Sequence, residues 1–509
     1  MDCKVFDTII IGAGLGGIRS AQELLKNNLK ICMITSKDFC SGASFYPGTW
    51  GLGMVGPKNE EDKKDLLENI IKVGCKLSNP KLSSILVDKV NDEINLLDKQ
   101  GINLKKSVDE DGVIPCFDSN KRRWFGFDFK TGKDAFYKIL DNENLTLLNK
   151  SKVINIFNEG ETSKGVLIEK EDKSIELVKS KSIIIASGGY TCLFKHNFSL
   201  ELDSPIIQYL ANKVGCELIN LEFIQFIPAY MKPMYKTVFN ERVFKYITIK
   251  DKNGEDILKD VNDIENLISE RSTYGPFSTR LRSNIIDKIL FKYYQDNNEC
   301  AYFEYPDNIE GINDTLIYNY FNWMKESKKD IDKKIYITPF AHACNGGIKI
   351  NEDASTTVNG IFACGEATGG VHGADRIGGL STCNALVFGA IAGKSASKYC
   401  KNSTFKDFDL SINYDLKKES KDYSRFKNAI DEIRKILYNK VSILRSKESI
   451  LDAKNEIRKI KENTFNIELS TGDKAMLESY IEFSFILLDH MLKQGKSIGC
   501  HCRVDSQTK

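Results

Sequence analysis

Long apolar runs are missing from this sequence of 509 residues; none approaches the ~20 residues that a helix needs to cross a bilayer. A charge surplus is missing as well. Lys and Arg number 72 and Asp and Glu 70, which leaves a formal net charge of +2. Proteins that grip nucleic acid or an anionic membrane carry a basic surplus or block, so neither partner is expected. Cysteine pairs at redox or metal spacing are missing too: fourteen cysteines are scattered along the chain with no CxxC. The start holds Asp2 and Asp7 and no small-residue cleavage site, which makes it a poor secretory signal. Reduced thiols and a cytoplasmic location are therefore expected. Internal repeats and low-complexity tracts are absent. Histidine is scarce, with five, so each can be weighed singly. What remains is ordinary: 41% hydrophobic and 28% charged residues, which excludes collagen-like, fully disordered and small disulfide-scaffold classes. The length suggests two to four domains at roughly 150 residues each.

Phe6 to Ile11 is a short isoleucine-rich run, read as a buried parallel strand. It runs into Gly12-Ala13-Gly14-Leu15-Gly16-Gly17, a GxGxxG pattern. A helical pattern over Ile18 to Lys26 and a second strand over Lys30 to Thr35 complete a βαβ unit. Gly12 permits the tight turn, Gly14 lets backbone approach a pyrophosphate, and Gly17 packs the helix against the strand. The helix N-terminus offers N–H groups and the positive end of its dipole to phosphates. With a strand before and a helix after, the pattern predicts dinucleotide binding. No Asp or Glu ends the second strand. Ser36 and Lys37 stand there instead, Lys37 able to meet a phosphate. Lys181 to Tyr190 is a second apolar strand, ending in Ser187-Gly188-Gly189, and Val358 to Gly370 a third, carrying Gly365 and Glu366. Three such turns suggest one sheet whose C-terminal edges face one ligand, and a ligand touching that much of a fold suits FAD better than NAD.

Further segments follow in order. Ser41-Gly42-Ala43-Ser44 precedes Tyr46-Pro47-Gly48. Leu221 to Phe226 is a strand. Pro339 to Gly347 has the spacing Pro-x-x-His-x-x-x-Gly-Gly around His342. Gly365 to Arg376 is the longest and most specific segment, and Ser497 to Asp505 the last. Together they resemble, over nearly the whole chain, the FAD-dependent oxidoreductase 2 family: the flavoprotein subunits of succinate dehydrogenase and fumarate reductase, and especially the L-aspartate oxidases. The resemblance implies an α/β Rossmann-like FAD-binding domain in two parts (1–228 and 339–400), an inserted α+β capping domain (229–338) and a C-terminal helical domain (401–509). It implies FAD held by Ser41, Ser44, Gly48 and Ser381 besides the glycine turns, with Glu366 accepting hydrogen bonds from ribityl hydroxyls. Membrane-bound members carry a flavin-bonding histidine where Gly42 stands here, so non-covalent FAD is expected.

Departures fall on the chemistry. The substrate-touching histidine of the family is Ile227 here, its proton-donating arginine aligns with Phe277, and its Thr-Gly-Asp-Gly turn aligns with Leu202-Asp203-Ser204-Pro205. Arg376, His342 and His372 are retained. Arg376 is expected to anchor an anionic group, the alternative being a structural pair with Asp375 or Glu366. His342 and His372 are candidates to donate hydrogen bonds or take a proton. Arg280 lies three residues after Phe277 and would share its face if residues 276–287 were helical, which makes it the candidate to replace the missing arginine. His196 and His490 read as structural or exposed.

Cys500-His501-Cys502 lacks the remaining ligands of a zinc site, so no metal is expected. Cys344, Cys364 and Cys383 read as small buried hydrophobes, and no cysteine cluster resembles an iron–sulfur ligand set. Lys121-Arg122-Arg123-Trp124-Phe125 aligns with a family loop near the active-site mouth. Residues 54–150 read as helices and loops. Residues 401–509 read as helices, an exposed one followed by a more buried one. The expected function is hydride transfer between flavin N5 and a small carboxylate-bearing substrate. Two other readings stay open: an electron-transfer subunit with an iron–sulfur partner, and a flavin-binding protein that has lost catalysis.

Overall fold

The computed structural model describes residues 4–106, 117–118, 122–159, 163–200, 204–327, 334–408 and 417–506; Lys121, Leu202 and Asp203 lie outside them. Lys4–Ile11 is the first strand, with Ile9, Ile10 and Ile11 buried. Branched apolar residues suit a strand covered on both faces. It lies parallel between Ile31–Ile34 and Ile175–Ile185. Leu145–Leu148 continues the sheet beyond Ile31–Ile34, and Ile361–Ala363 pairs parallel with the end of Ile175–Ile185. Ser163–Glu169 and Lys152–Glu159 add an antiparallel edge. The register puts Ile11 level with Ile34 and Ile185, and Ile185 level with Ala363. The three glycine turns therefore leave the same edge of the sheet side by side.

Helices Leu15–Leu25 and Leu380–Lys401 pack together through glycine faces. A Cβ on Gly389 would stand 2.7 Å from Gly16 O, and one on Gly393 would stand 2.5 Å from Ser20 O. Ser20 Oγ donates to Gly389 O at 2.9 Å. Without side chains between them, the helix backbones touch, and both N-termini reach the glycine-turn edge.

A second hydrophobic core gathers Tyr230, Phe239, Phe303, Tyr320 and Phe321 around a four-stranded antiparallel sheet. Its long strands, Ile224–Lys232 and Ile335–Cys344, begin or end in the first core: Ile224, Phe226, Ala341 and Cys344 belong there, whereas Tyr230, Ile335 and Ile337 belong to the second. The expected boundaries at 228 and 338 thus fall inside two paired strands.

Residues 54–150 hold more than helices and loops. Leu52–Gly56, Arg123–Phe127 and Leu104–Lys106 form a three-stranded sheet, so Arg123, Trp124 and Phe125 lie on a strand. Their alternation is hidden by Gly53 and Gly126, over which the Trp124 ring lies. Arg122 is gripped by Asp62, Asp65 and Asp118. The condition that residues 276–287 be helical is not met, because the helix starts only at Asn284. The preceding N–H groups are used elsewhere: Phe277 N donates to Phe226 O and Thr279 N to Gly499 O, each at 2.8 Å, so an i→i−4 ladder cannot form there.

The chain closes with helices Tyr423–Val441, Lys447–Asn463 and Thr471–Lys493. Lys447–Asn463 buries only Ile450, Ala453, Ile457 and Ile460, one stripe of an otherwise charged surface. Among the described residues no helix is long and apolar enough to cross a membrane.

The glycine seam yields a first test. Gly393→Val should lower stability by about 1–3 kcal/mol through overpacking, read as a drop in denaturant midpoint. An unchanged midpoint would show that the two helices do not meet.

Candidate cofactor and active site

A cavity of about 420 Å³ opens along the edge where the glycine turns emerge. At one end are Gly12 and Gly14. Gly12 has φ +111°, and a Cβ there would stand 2.3 Å from Ala186 O. The turn excludes every side chain. Gly17 is not in the lining; its Cβ would stand 2.0 Å from Gly12 O, so it serves as the packing glycine. Ser44 Oγ accepts from Leu15 N at 3.1 Å, which brings the Ser41–Ser44 loop against the first helix start. Ser41, Ser44, Ser187, Gly188, Gly189, Gly365, Glu366 and Ser381 all line the cavity. Gly48 does not: a Cβ there would stand 2.4 Å from Lys236 O, so it packs backbone on backbone. Ser36 and Lys37 are also outside the lining, which takes Thr35 at that strand end.

Two helix N-termini open onto the cavity, at Leu15 and at Leu380, where Gly379, Ser381 and Thr382 line the wall. Their dipoles favour negative groups such as phosphates. Ser187 Oγ, Asn384 Oδ1 and His372 Nδ1 are buried with no hydrogen-bond partner, and all three residues line the cavity. Buried polar atoms are normally satisfied, so a ligand with many hydroxyls and phosphates fits. Glu366 Oε1 accepts from Cys344 N at 3.0 Å, and burial pushes its carboxyl up. These groups suit a long, polar, doubly phosphorylated nucleotide.

At the other end, His342 projects from the strand Ile335–Cys344, while His372 and Arg376 come from the turn before Leu380. Burial first, and then the Arg376 charge, push both imidazoles down to about 3. Both are thereby held toward the neutral imidazole. Asp375 does not serve Arg376. It accepts from Arg280 Nε at 2.7 Å and Ser278 Oγ at 2.5 Å, and burial pushes it up to about 6. Arg280 is thus spent on Asp375, with its guanidinium 4.9 Å from the Phe117 ring centre, and lies outside the cavity lining. It does not replace the missing arginine. Phe277 is fully buried and also outside the lining, whereas Ile227 lines it.

One residue escaped the sequence reading. Glu241 opens a 3-10 turn, Glu241–Tyr246, and lines the cavity near Gly275 and Pro276. Burial pushes its carboxyl up against the opposing pull of Arg271 and Arg242, which favours the protonated acid. Arg271 pairs with Asp287 at 2.7 Å and donates to Tyr274 O and Gly275 O, so it fixes the segment carrying Pro276. An acid in a weakly patterned stretch gave no local signal.

The other candidates are structural. His196 Nε2 lies 3.0 Å from Tyr294 OH within an aromatic cluster, and His490 lies 3.6 Å from Glu222. His501 sits against Arg445 Nη1 (2.5 Å) and Gln494 O (3.0 Å). Among the described residues no group of three His, Cys, Asp or Glu is placed to hold a metal. Burial pushes the Cys364 and Cys383 thiols up to about 12 and Cys344 well above its ordinary value, which leaves them unreactive.

Comparison with known proteins agrees with this geometry. The family described as FAD binding domain matches residues 7–264 and 297–382. An uncharacterized FAD-dependent oxidoreductase of Methanocaldococcus jannaschii is 26% identical over 98% of this chain and 93% of its own. An L-aspartate oxidase of Clostridium perfringens is 25% identical over 78% of this chain and 88% of its own. The FrdA subunit of E. coli quinol fumarate reductase superposes with a TM-score of 0.77 at 18% identity, covering 100% of this chain and 92% of its own. That likeness establishes the fold.

The depressed imidazoles set a pH test. A folded-state pKa below the unfolded value costs stability as pH falls, because only the unfolded chain takes up the proton. His372→Gln removes one such group. Relative to the parent, its stability should improve on acidification from about pH 6.5 toward 3, by up to ~1.4 kcal/mol per pH unit. A stability difference independent of pH would contradict the neutral imidazole.

Proposed function

The chain belongs to the FAD binding domain family and is an FAD-dependent oxidoreductase of the fumarate reductase, succinate dehydrogenase and L-aspartate oxidase type; from that premise we propose that its substrate is a small carboxylate-bearing molecule. The observation that carries this reading is Arg376. Among the described residues it is the only arginine or lysine lining the cavity. A planar guanidinium holds a carboxylate through paired, charge-assisted hydrogen bonds. His342 and His372, kept neutral beside it, offer N–H donors without adding charge. They orient the substrate and polarise its reacting bond. Glu241, its carboxyl held toward the neutral form, is the acid available to give or take the accompanying proton.

FAD, when bound, supplies the hydride acceptor and donor. Gly12, Gly14, Ser44, Ser187 to Gly189, Gly365, Glu366 and Ser381 would hold it. Its attachment is non-covalent on this reading, because Gly42 lines the cavity with no side chain to form a bond. Glu241, Gly275 and Pro276 come from the segment assigned to the cap, residues 229–338. Motion of that segment over the cavity would shed water and bring the acid to the substrate.

The pure protein should be yellow, and acid precipitation should leave all the flavin in the supernatant. Colour retained in the pellet would refute non-covalent attachment. Screening small acids for anaerobic bleaching identifies the substrate. Arg376→Gln should then lower kcat/KM about 10- to 100-fold, the loss of a charged hydrogen bond worth ~1.5–3 kcal/mol. An unchanged kcat/KM would refute the anchor.

A further inference from the structure

The reacting end of the cavity has an uneven character. Tyr46, Phe198 and Ile227 belong to one hydrophobic cluster with Phe340, and Leu200 and Val238 pack on it. Tyr46, Phe198, Leu200, Ile227 and Val238 all line the cavity. The Phe198 ring meets Tyr46 edge-on at 5.6 Å and His342 edge-on at 5.9 Å, so this apolar wall adjoins the histidine that feels the Arg376 charge. The Tyr46 hydroxyl in this wall is occupied, because Tyr46 OH donates to Lys236 O at 2.7 Å.

The charges are equally lopsided. Among the described lining residues Arg376 is the one Lys or Arg, it stands beside the acids Glu241 and Glu366, and the imidazoles are held toward the neutral form. Lys236 is nearby, but its ammonium donates to Ser199 O at 2.8 Å and it is not among the lining residues. A substrate with two carboxylates would seat one on Arg376. The other would face the apolar wall, with no second Lys or Arg among the described lining residues to pair it, and an unpaired charge in such a place is strongly disfavoured. A substrate with one carboxylate and an apolar group satisfies both surfaces.

We propose that the cavity is built for a monocarboxylic acid bearing an apolar substituent, with the carboxylate on Arg376 and the substituent against the Phe198, Ile227 and Val238 wall. This deepens the proposed function and rests on its reading of Arg376 as the anchor. Ile227 is then a specificity-determining residue: an apolar side chain that turns away a second charge.

The test uses the full-length FAD-loaded protein in its oxidised form, with binding read from perturbation of the flavin absorbance and from thermal shift. The probes are propanoate, butanoate, pentanoate and butanedioate. Affinity should rise roughly fourfold with each added methylene, and butanedioate should bind about tenfold or more weakly than butanoate, which has the same chain length. Ile227→Lys should reverse that preference, and Ile227→Ala should flatten the methylene series. Butanedioate binding as well as butanoate overturns the inference while leaving the anchor standing. So does a flat series in the parent protein, the result expected if the cofactor itself covers the apolar wall. If no acid of either kind binds, the anchor is refuted and the inference falls with it.

Discussion

The approach of backbone to backbone at Gly12 is the contact on which the rest of this structure depends. A Cβ at Gly12 would stand 2.3 Å from Ala186 O, and one at Gly17 would stand 2.0 Å from Gly12 O. These distances hold the first strand, its turn, the first helix and the end of Ile175–Ile185 in one arrangement. The second helix is drawn in by the same means, through Gly389 and Gly393. Two helix N-termini and three glycine turns are thereby brought to one edge of one sheet. A cavity with that much exposed backbone N–H and positive dipole is suited to a phosphate-bearing cofactor before any side chain is considered.

Burial does the rest at the reacting end. Taking charge out of water disfavours it, and here the effect is sorted by residue type. Imidazoles are pushed toward the neutral form, the carboxyls of Glu241 and Glu366 are pushed up, and Arg376, whose guanidinium does not titrate in the accessible range, stays positive. One fixed cation therefore stands among neutral donors and acids. The selectivity proposed for the cavity follows from that imbalance and from the adjoining apolar wall.

The segment proposed as a cap joins the rest of the chain through more than a linker. Ile224–Lys232 and Ile335–Cys344 run from one core into the other as paired strands. Arg280 and Ser278 grip Asp375, the neighbour of Arg376. Arg271 holds the carbonyl of Gly275. Residues that line the site from the cap side are thus positioned by buried ion pairs and hydrogen bonds, whose rupture would leave uncompensated charges.

The nucleotide half of the site was legible in the primary structure because its determinants are local. A strand, a glycine turn and a helix start are consecutive residues, and Gly12, Gly14, Ser187 to Gly189, Gly365 and Glu366 all reach the cavity. Gly48, Ser36 and Lys37 lie outside the cavity lining, because which residue of a loop or strand end points inward depends on what packs behind it. Arg280 looked free in one dimension and is bound to Asp375 in three. Glu241 was invisible, since nothing in its neighbours marks it, and it acquires meaning only in a cavity that His342 and Arg376 also line. Local sequence decided the turn chemistry and hence the cofactor class; the tertiary structure alone decided which distant side chains share a cavity and which charges are already paired there. The physical reason is that backbone conformation is set over a few residues, whereas burial and electrostatic pairing are set by whatever the fold brings alongside.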